Sequence, residues 1–197
     1  LYLCSARNQV IALDASTGKQ RWRYDPKVKD EAIPYTAACR GVSYYEVPTA
    51  APAANDAAAS QAATAPALCR TRVIEGTLDG RLIALDARTG TPCADFGTHG
   101  QVDITVGMGE TPPGYISINS PPAIVRGVVV IGHQVLDGQK RYEPSGVIQG
   151  FDAVTGQLRW AWDMTHPEWN GAPPPGQTWT RGTPNMWTTA AADEQLG

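Results

Sequence analysis

Three copies of one unit run through the chain: VIALDASTGKQRWRYD at residues 10–25, LIALDARTGTPCADFG at 82–97 and VIQGFDAVTGQLRWAWD at 147–163. Each has an apolar strand, an Asp, two further residues, Thr-Gly and a second strand-like segment, and two copies carry Trp at one offset, Trp22 and Trp160. A repeat of one supersecondary unit at a spacing of tens of residues restricts the chain to a propeller or a solenoid. The D-x-x-T-G stretch shapes the unit. The carboxylates of Asp14, Asp86 and Asp152 can accept bonds from backbone N–H groups two or three residues on. Gly18, Gly90 and Gly156 can take the left-handed conformation that closes a hairpin. Val, Ile, Leu and Trp on either side favour strands. The three Asp are therefore expected in turns rather than in catalysis. Each hairpin would form the outer half of a four-stranded blade.

Residues 1–5, 41–45, 72–77 and 128–133 supply further strands, and helix signal is scarce. The expected fold is all-β, a fragment of about two to three blades: the rest of one blade, two complete blades and the first strand of another. Two insertions interrupt the blades. Residues 47–68, VPTAAPAANDAAASQAATAPAL, have no aromatic anchor and nothing to bury a face, so they read as a weakly ordered surface loop. Residues 165–183, rich in Pro, Gly and Trp, read as a packed loop over a funnel mouth.

Charge and length exclude several classes. With 16 basic against 19 acidic residues and no basic cluster, nucleic acid is not an expected partner. No apolar run approaches the roughly 20 residues that span a bilayer. The 197 residues open inside a strand and close without an evident terminus, which suggests a piece of a larger domain. Cys4, Cys39, Cys69 and Cys93 show no C-x-x-C spacing, which argues against zinc. They are compatible with disulfides or with buried thiols. Cys39 and Cys69 bracket the first insertion, and a bridge between them would staple its base. His99, His133 and His166 are scattered, without metal spacing, and are expected in loops or at the surface.

The string TAACRGVSYYE, residues 36–46, sets a fixed charge beside a permissive backbone at a strand mouth. Arg40 carries a planar fork of donors and Gly41 allows unusual angles, which suits either an anion cradle or an ordinary turn.

The repeated A-L-D-A-x-T-G-x-x-x-W pattern resembles the tryptophan-docking repeat of eight-bladed quinoprotein dehydrogenases. The strings CRGVSYYE, DGRLIALDARTGTPC, SGVIQGFDAVTG and PNMWTTAAAD narrow the resemblance to the membrane-bound, PQQ-dependent branch that oxidises glucose, quinate or shikimate. It covers nearly all of the chain outside the Ala-rich insertion. It implies that Arg40 pairs with oxygens of PQQ, a planar tricarboxylate, while Gly41 leaves room for close approach. Trp187 would form the flat floor under the cofactor ring. Asn185, two residues before Trp187, would face the same pocket. Asn119 and Ser120 in INSPP would contact PQQ carboxylates. Glu143 in YEPSG lies near the segment that supplies a calcium carboxylate in related alcohol dehydrogenases.

The function so implied is oxidation of glucose or a related sugar or polyol at the periplasmic face of the bacterial inner membrane. PQQ and Ca²⁺ would be the cofactors and ubiquinone the electron acceptor, with the membrane met through a part outside this chain. Quinate or shikimate, a cyclic hydroxy acid, is the alternative substrate. A cofactor-free propeller scaffold is the non-enzymatic reading. Three departures stand out. Tyr35 and Thr36 occupy the neighbourhood where glucose-oxidising relatives often carry His. The second repeat lacks its docking Trp, with Cys93 and Phe96 nearby. The family's catalytic Asp belongs to a later blade, so no base is assigned here.

Overall fold

The structure is a computed structural model that describes residues 1–48 and 68–196. The first sheet contains β1 (Tyr2–Cys4), β2 (Val10–Leu13) and β3 (Gln20–Tyr24) in that order. The second contains β4 (Ser43–Glu46), β5 (Thr71–Gly76), β6 (Arg81–Asp86) and β7 (Gln101–Asp103), again in chain order. A two-stranded ribbon pairs β8 (Ile116–Ser117) with β11 (Gln134–Val135). The third sheet is β9 (Ala123–Val125), β10 (Val128–Ile131), β12 (Ile148–Asp152) and β13 (Leu158–Trp162), ordered β13-β12-β10-β9. All pairings between these strands are antiparallel. Among the described residues the one helical element is a short 3₁₀ turn, Asp30–Ala32. The all-β expectation holds. The sheets match the rest of one blade and two complete blades, but no strand follows Trp162 among the described residues.

The D-x-x-T-G turns form as their residues dictate. Asp14 Oδ1 accepts from the N–H of Ser16 and Thr17, Asp86 Oδ1 from Arg88 and Thr89, and Asp152 Oδ1 from Val154 and Thr155, all at 2.8–3.1 Å. Gly18, Gly90 and Gly156 sit at φ +70°, +74° and +70°, where a side chain would be strained. Burial alone would raise the Asp86 carboxyl, yet N–H donors from Cys69, Thr89 and Arg88 outweigh it and hold the group below its ordinary value. These Asp residues are structural acceptors.

Stacking of the sheets decides which faces are apolar. In the second sheet Val73, Ile83 and Leu85 pack against Val10, Ala12 and Trp22 of the first. On its other face Ile74, Leu82 and Ala84 share a core with Val129, Ile131 and Phe151 of the third. Strands β5 and β6 are thus buried on both faces, which explains the unbroken apolar run Leu82–Leu85 of β6. Trp22 seals the first interface. Its ring lies so close over Gly90 that a Cβ there would come within 2.6 Å of it, and its Nε1–H donates to the Ala87 carbonyl at 3.0 Å.

The second repeat has no Trp for the same task, and a buried Arg takes the hydrogen bond. Arg72, 1% exposed, donates through Nη1 to the carbonyls of Ala153 at 3.2 Å and Val154 at 2.9 Å. Ala153 follows Asp152 as Ala87 follows Asp86, so the acceptors are equivalent. The remaining Arg72 donors reach Cys69 O and the Asp95 carboxylate at 2.9–3.1 Å, and Phe96 is fully buried in the shared core.

Two expectations are corrected here. Cys39 and Cys69 do not bridge. The disulfides are Cys4–Cys39, with Cα atoms 6.0 Å apart, and Cys69–Cys93, at 5.7 Å. Each joins segments that strand pairing and stacking already bring together, whereas loop bracketing took no account of the neighbouring sheet. The thiol alternative falls with them, since no free cysteine remains. His133 lies in a loop, between β10 and β11, as one of its two expected settings had it. It is buried, its Nε2 lies 2.7 Å from Ser145 O, and burial pushes it down to about 4. The first insertion, apart from Val47, Pro48 and Leu68, lies outside the described residues. In the second, Asp163 just before it accepts from the N–H of Thr165 and Thr180 and Trp179 is 1% exposed in the core, while the other residues of 165–183 are half-buried or exposed.

Two outcomes follow from these buried polar groups. Arg72→Met leaves two turn carbonyls and Asp95 without their donor, and should cost about 3 kcal/mol or more, read as a lower urea midpoint of the full-length protein. Glu75, fully buried at the end of β5, is pushed up to about 9 by burial. The folded protein then holds a proton that the unfolded chain has released, so stability should fall as pH rises from about 4.5 towards about 9. Urea midpoints across that range should decline more for the wild type than for Glu75→Gln.

Candidate functional site

Each inner strand of a complete blade is preceded by a short extended segment, and these segments meet. Arg40 stands just before β4, Asn119 and Ser120 just before β9, and Trp187 follows the loop after β13. The Arg40 N–H donates to Asn119 O at 3.1 Å, which ties the first two segments together through the main chain. Gly41 sits at φ +148°, a conformation that a side chain would disfavour, while a Cβ there would meet only Pro121 at an ordinary 3.6 Å. The backbone angle, rather than crowding within this chain, calls for glycine at that position.

Arg40 Nη1 donates to Asn119 Oδ1 at 2.9 Å, Ser120 Oγ at 3.2 Å and Trp187 O at 3.1 Å. The Ser120 hydroxyl also donates to Trp187 O at 2.8 Å. The guanidinium carbon lies 5.2 Å from the Trp187 ring centroid, within cation–π range. Four of the six residues singled out as cofactor ligands thus form one contact network drawn from distant parts of the chain. Among the described residues Arg40 has no carboxylate partner. Its charge rests on neutral oxygens and on a ring that is 48% exposed. A planar anion finds there a fixed cation, two neutral polar side chains and an open aromatic face, so this donor set fits PQQ.

Sequence reading missed Gln134, which accepts from Asn119 Nδ2 at 2.8 Å and so orients the amide whose oxygen meets Arg40. Its only signal was a position in a short strand of the segment after β10. Asn185 is not part of the network. Its Nδ2 donates to Asp137 Oδ1 at 3.0 Å, and its own Oδ1 is buried with no partner among the described residues.

Glu143 stands apart as well. Its Oε1 accepts from the N–H of Gln139 at 2.6 Å and Lys140 at 2.9 Å, closing a turn. Among the described residues two groups of three His, Cys, Asp or Glu have their ligand atoms close together, and neither includes Glu143. Both are built on disulfide sulfurs, which do not ligate calcium. Further calcium ligands beside Glu143 would then be carbonyl or amide oxygens, or groups outside the described residues. A cleft of about 550 Å³ lined by Lys27, Asp79, Arg81, Asp103 and Thr105 includes none of the six residues. Its Arg81 is already paired with Asp79 at 2.5 Å, so it offers less uncommitted charge than Arg40 does.

Comparison with known proteins agrees with the sheet architecture. The family model described as "Glucose/ethanol/alcohol dehydrogenase, beta-propeller domain" matches residues 1–197. The chain is 46% identical over 200 residues to the glycerol dehydrogenase large subunit of Gluconobacter oxydans (strain 621H), covering 100% of this chain and 25% of that protein. It is 39% identical over 198 residues to the quinoprotein glucose dehydrogenase of Escherichia coli (strain K12), covering 100% and 24%. The crystal structure of quinohemoprotein alcohol dehydrogenase from Comamonas testosteroni is similar over 82% of this chain and 19% of its own, with a TM-score of 0.54 and 28% identity. The chain thus spans about a quarter of the length of the curated relatives it matches. By sequence, sheet order and match along its whole length, it belongs to the β-propeller domain family of PQQ-dependent glucose/ethanol/alcohol dehydrogenases.

Proposed function

We propose that the protein containing this chain is a PQQ-dependent dehydrogenase that oxidises a hydroxyl group of glucose or a related sugar or polyol. The observation that carries this reading is the Arg40 guanidinium, held 5.2 Å from the Trp187 ring with only neutral oxygens for partners. Arg40 would bind the cofactor's anionic edge, Trp187 would stack beneath its ring, and Asn119 and Ser120 would orient it. PQQ supplies the hydride acceptor when bound. None of these four side chains is a base at neutral pH, so the substrate proton would pass to another group, which the family resemblance puts in a later blade.

The names of the relatives, glycerol dehydrogenase and glucose dehydrogenase, favour a polyhydroxylated substrate. Two disulfides favour an oxidising compartment, consistent with the periplasmic face of the inner membrane. No helix among the described residues is long and apolar enough to cross a membrane, so an anchor and the contact with ubiquinone would belong to the rest of the protein. Calcium would need carbonyl or amide oxygens beside Glu143, or groups outside the described residues.

Calorimetric titration of the full-length apoprotein with PQQ, in the presence of Ca²⁺, tests the reading. Arg40→Ala should weaken binding about tenfold to a hundredfold, because charged hydrogen bonds are each worth roughly 1.5–3 kcal/mol. Arg40→Lys should recover only part of this, since a point charge lacks the planar fork. Trp187→Ala should lose about twofold to tenfold through stacking. Wild-type affinity in Arg40→Ala and Trp187→Ala would reject the site. With the loaded enzyme and a ubiquinone analogue, turnover of glycerol or glucose supports the substrate class. Turnover of quinate alone moves it to a cyclic hydroxy acid.

A further inference from the structure

The three sheets repeat one joint, and the Cys4–Cys39 disulfide occupies it. Ala12, Ala84 and Gly150 each lie two residues before the turn Asp, and their partners across the ladder are Tyr2, Ile74 and Val130. Two residues further along the same strands come Cys4, Gly76 and Gly132, which therefore hold equivalent places where the strand leaves the sheet. At each place a segment of the following blade crosses. A Cβ on Gly76 would come within 2.6 Å of Ile118 Cβ, and one on Gly132 within 2.8 Å of Met186 Cβ. Cys4 is bonded to Cys39.

The next residue in each crossing segment is a member of the cluster: Asn119 after Ile118, Trp187 after Met186 and Arg40 after Cys39. Three repeats thus place three cluster residues through one joint. Two joints are a bare backbone under a large side chain, and the third is covalent. Cys39 has little else to hold it. Its sulfur lies 3.6 Å from Gly41 O and 3.7 Å from Glu75 Oε1, and Glu75 Oε2 is buried without a partner.

The geometry points to a positioning role for the Cys4–Cys39 disulfide: it sets Arg40 for the cofactor as the Gly76–Ile118 and Gly132–Met186 contacts set Asn119 and Trp187. The other disulfide, Cys69–Cys93, contributes to the core shared by the second and third sheets and has no such role. The inference rests on the cofactor reading above.

Its test uses full-length apoprotein and PQQ as the probe, followed by calorimetry. Cys4→Ser with Cys39→Ser should weaken PQQ binding at least tenfold. Cys69→Ser with Cys93→Ser should lower the urea midpoint but leave PQQ affinity within about threefold of wild type. Cys4→Gly with Cys39→Ile rebuilds the joint of the second sheet, and should restore affinity to within about threefold of wild type without any disulfide at that place. Wild-type affinity in the first double variant overturns the proposal. So does a folded Gly/Ile variant that binds PQQ tenfold or more weakly. If the serine variant does not fold, the Gly/Ile variant decides alone. Should Arg40→Ala also bind PQQ like wild type, the cofactor reading fails. Should only Arg40→Ala bind weakly, the positioning role alone fails.

Discussion

Carbonyls just after the turn Asp link the second sheet to the first and the third to the second. The Asp of each D-x-x-T-G turn accepts with one carboxylate oxygen from the N–H groups that follow it, which fixes the turn. In the second and third sheets the carbonyl of the next residue faces the preceding sheet. A buried carbonyl needs a donor. At the first interface Trp22 and Tyr2 both supply one to Ala87, at 3.0 and 2.9 Å. At the second, Arg72 supplies one to Ala153. The spacing between sheets therefore depends on how far the donor reaches, and everything at the inner strand mouths inherits that spacing. An Arg replaces a Trp here only because its remaining donors are satisfied by Cys69 and Asp95. A buried guanidinium with unpaired N–H groups would cost more than the docking returns.

How much of this was legible in the sequence follows the range of the interactions. The turns, their glycines and the β class were legible because a carboxylate and the N–H groups two or three residues on are local partners. The docking Trp was legible from its offset, and so was its loss in the second repeat. The substitute was not, because Arg72 lies on another strand of its blade and its acceptors are 81 and 82 residues away. The disulfide partners were missed for the same reason. Cys39 belongs in sequence to the edge of an insertion, but in space it belongs to the end of β1. His133 read as a loop or surface residue; the loop is there, but nothing in its neighbourhood shows that the segment around Ser145 will cover it.

The candidate site divides along a related line. Arg40, Asn119, Ser120 and Trp187 were singled out by resemblance, and no local property brings them together; sheet stacking does. Asn185 and Glu143 were named on the same ground, yet each is committed to a neighbouring loop group in this chain. The difference is one of place. The four clustered residues stand on segments entering or following the inner strand positions, where consecutive blades converge, while Glu143 closes a turn within a single excursion.

Electrostatics gives the cluster its direction. Most of the exposed Arg residues in the described chain sit beside a carboxylate, as Arg21 does with Asp14 and Arg159 with Asp152. Such pairs are solvent-screened and nearly self-neutral, and they attract little. Arg40 is exposed too, but its partners are an amide oxygen, a hydroxyl and a carbonyl, none of which cancels its charge. Those contacts hold the guanidinium in one orientation over the Trp187 face. The side-chain entropy of a long cation is thus largely spent before an anion arrives. Covering the site would remove water from the charge and strengthen its attraction to a carboxylate. Arg181 also lacks a carboxylate, but its donors end on three main-chain carbonyls. Arg40 is an oriented cation against an exposed aromatic residue, an arrangement that would suit a planar anion.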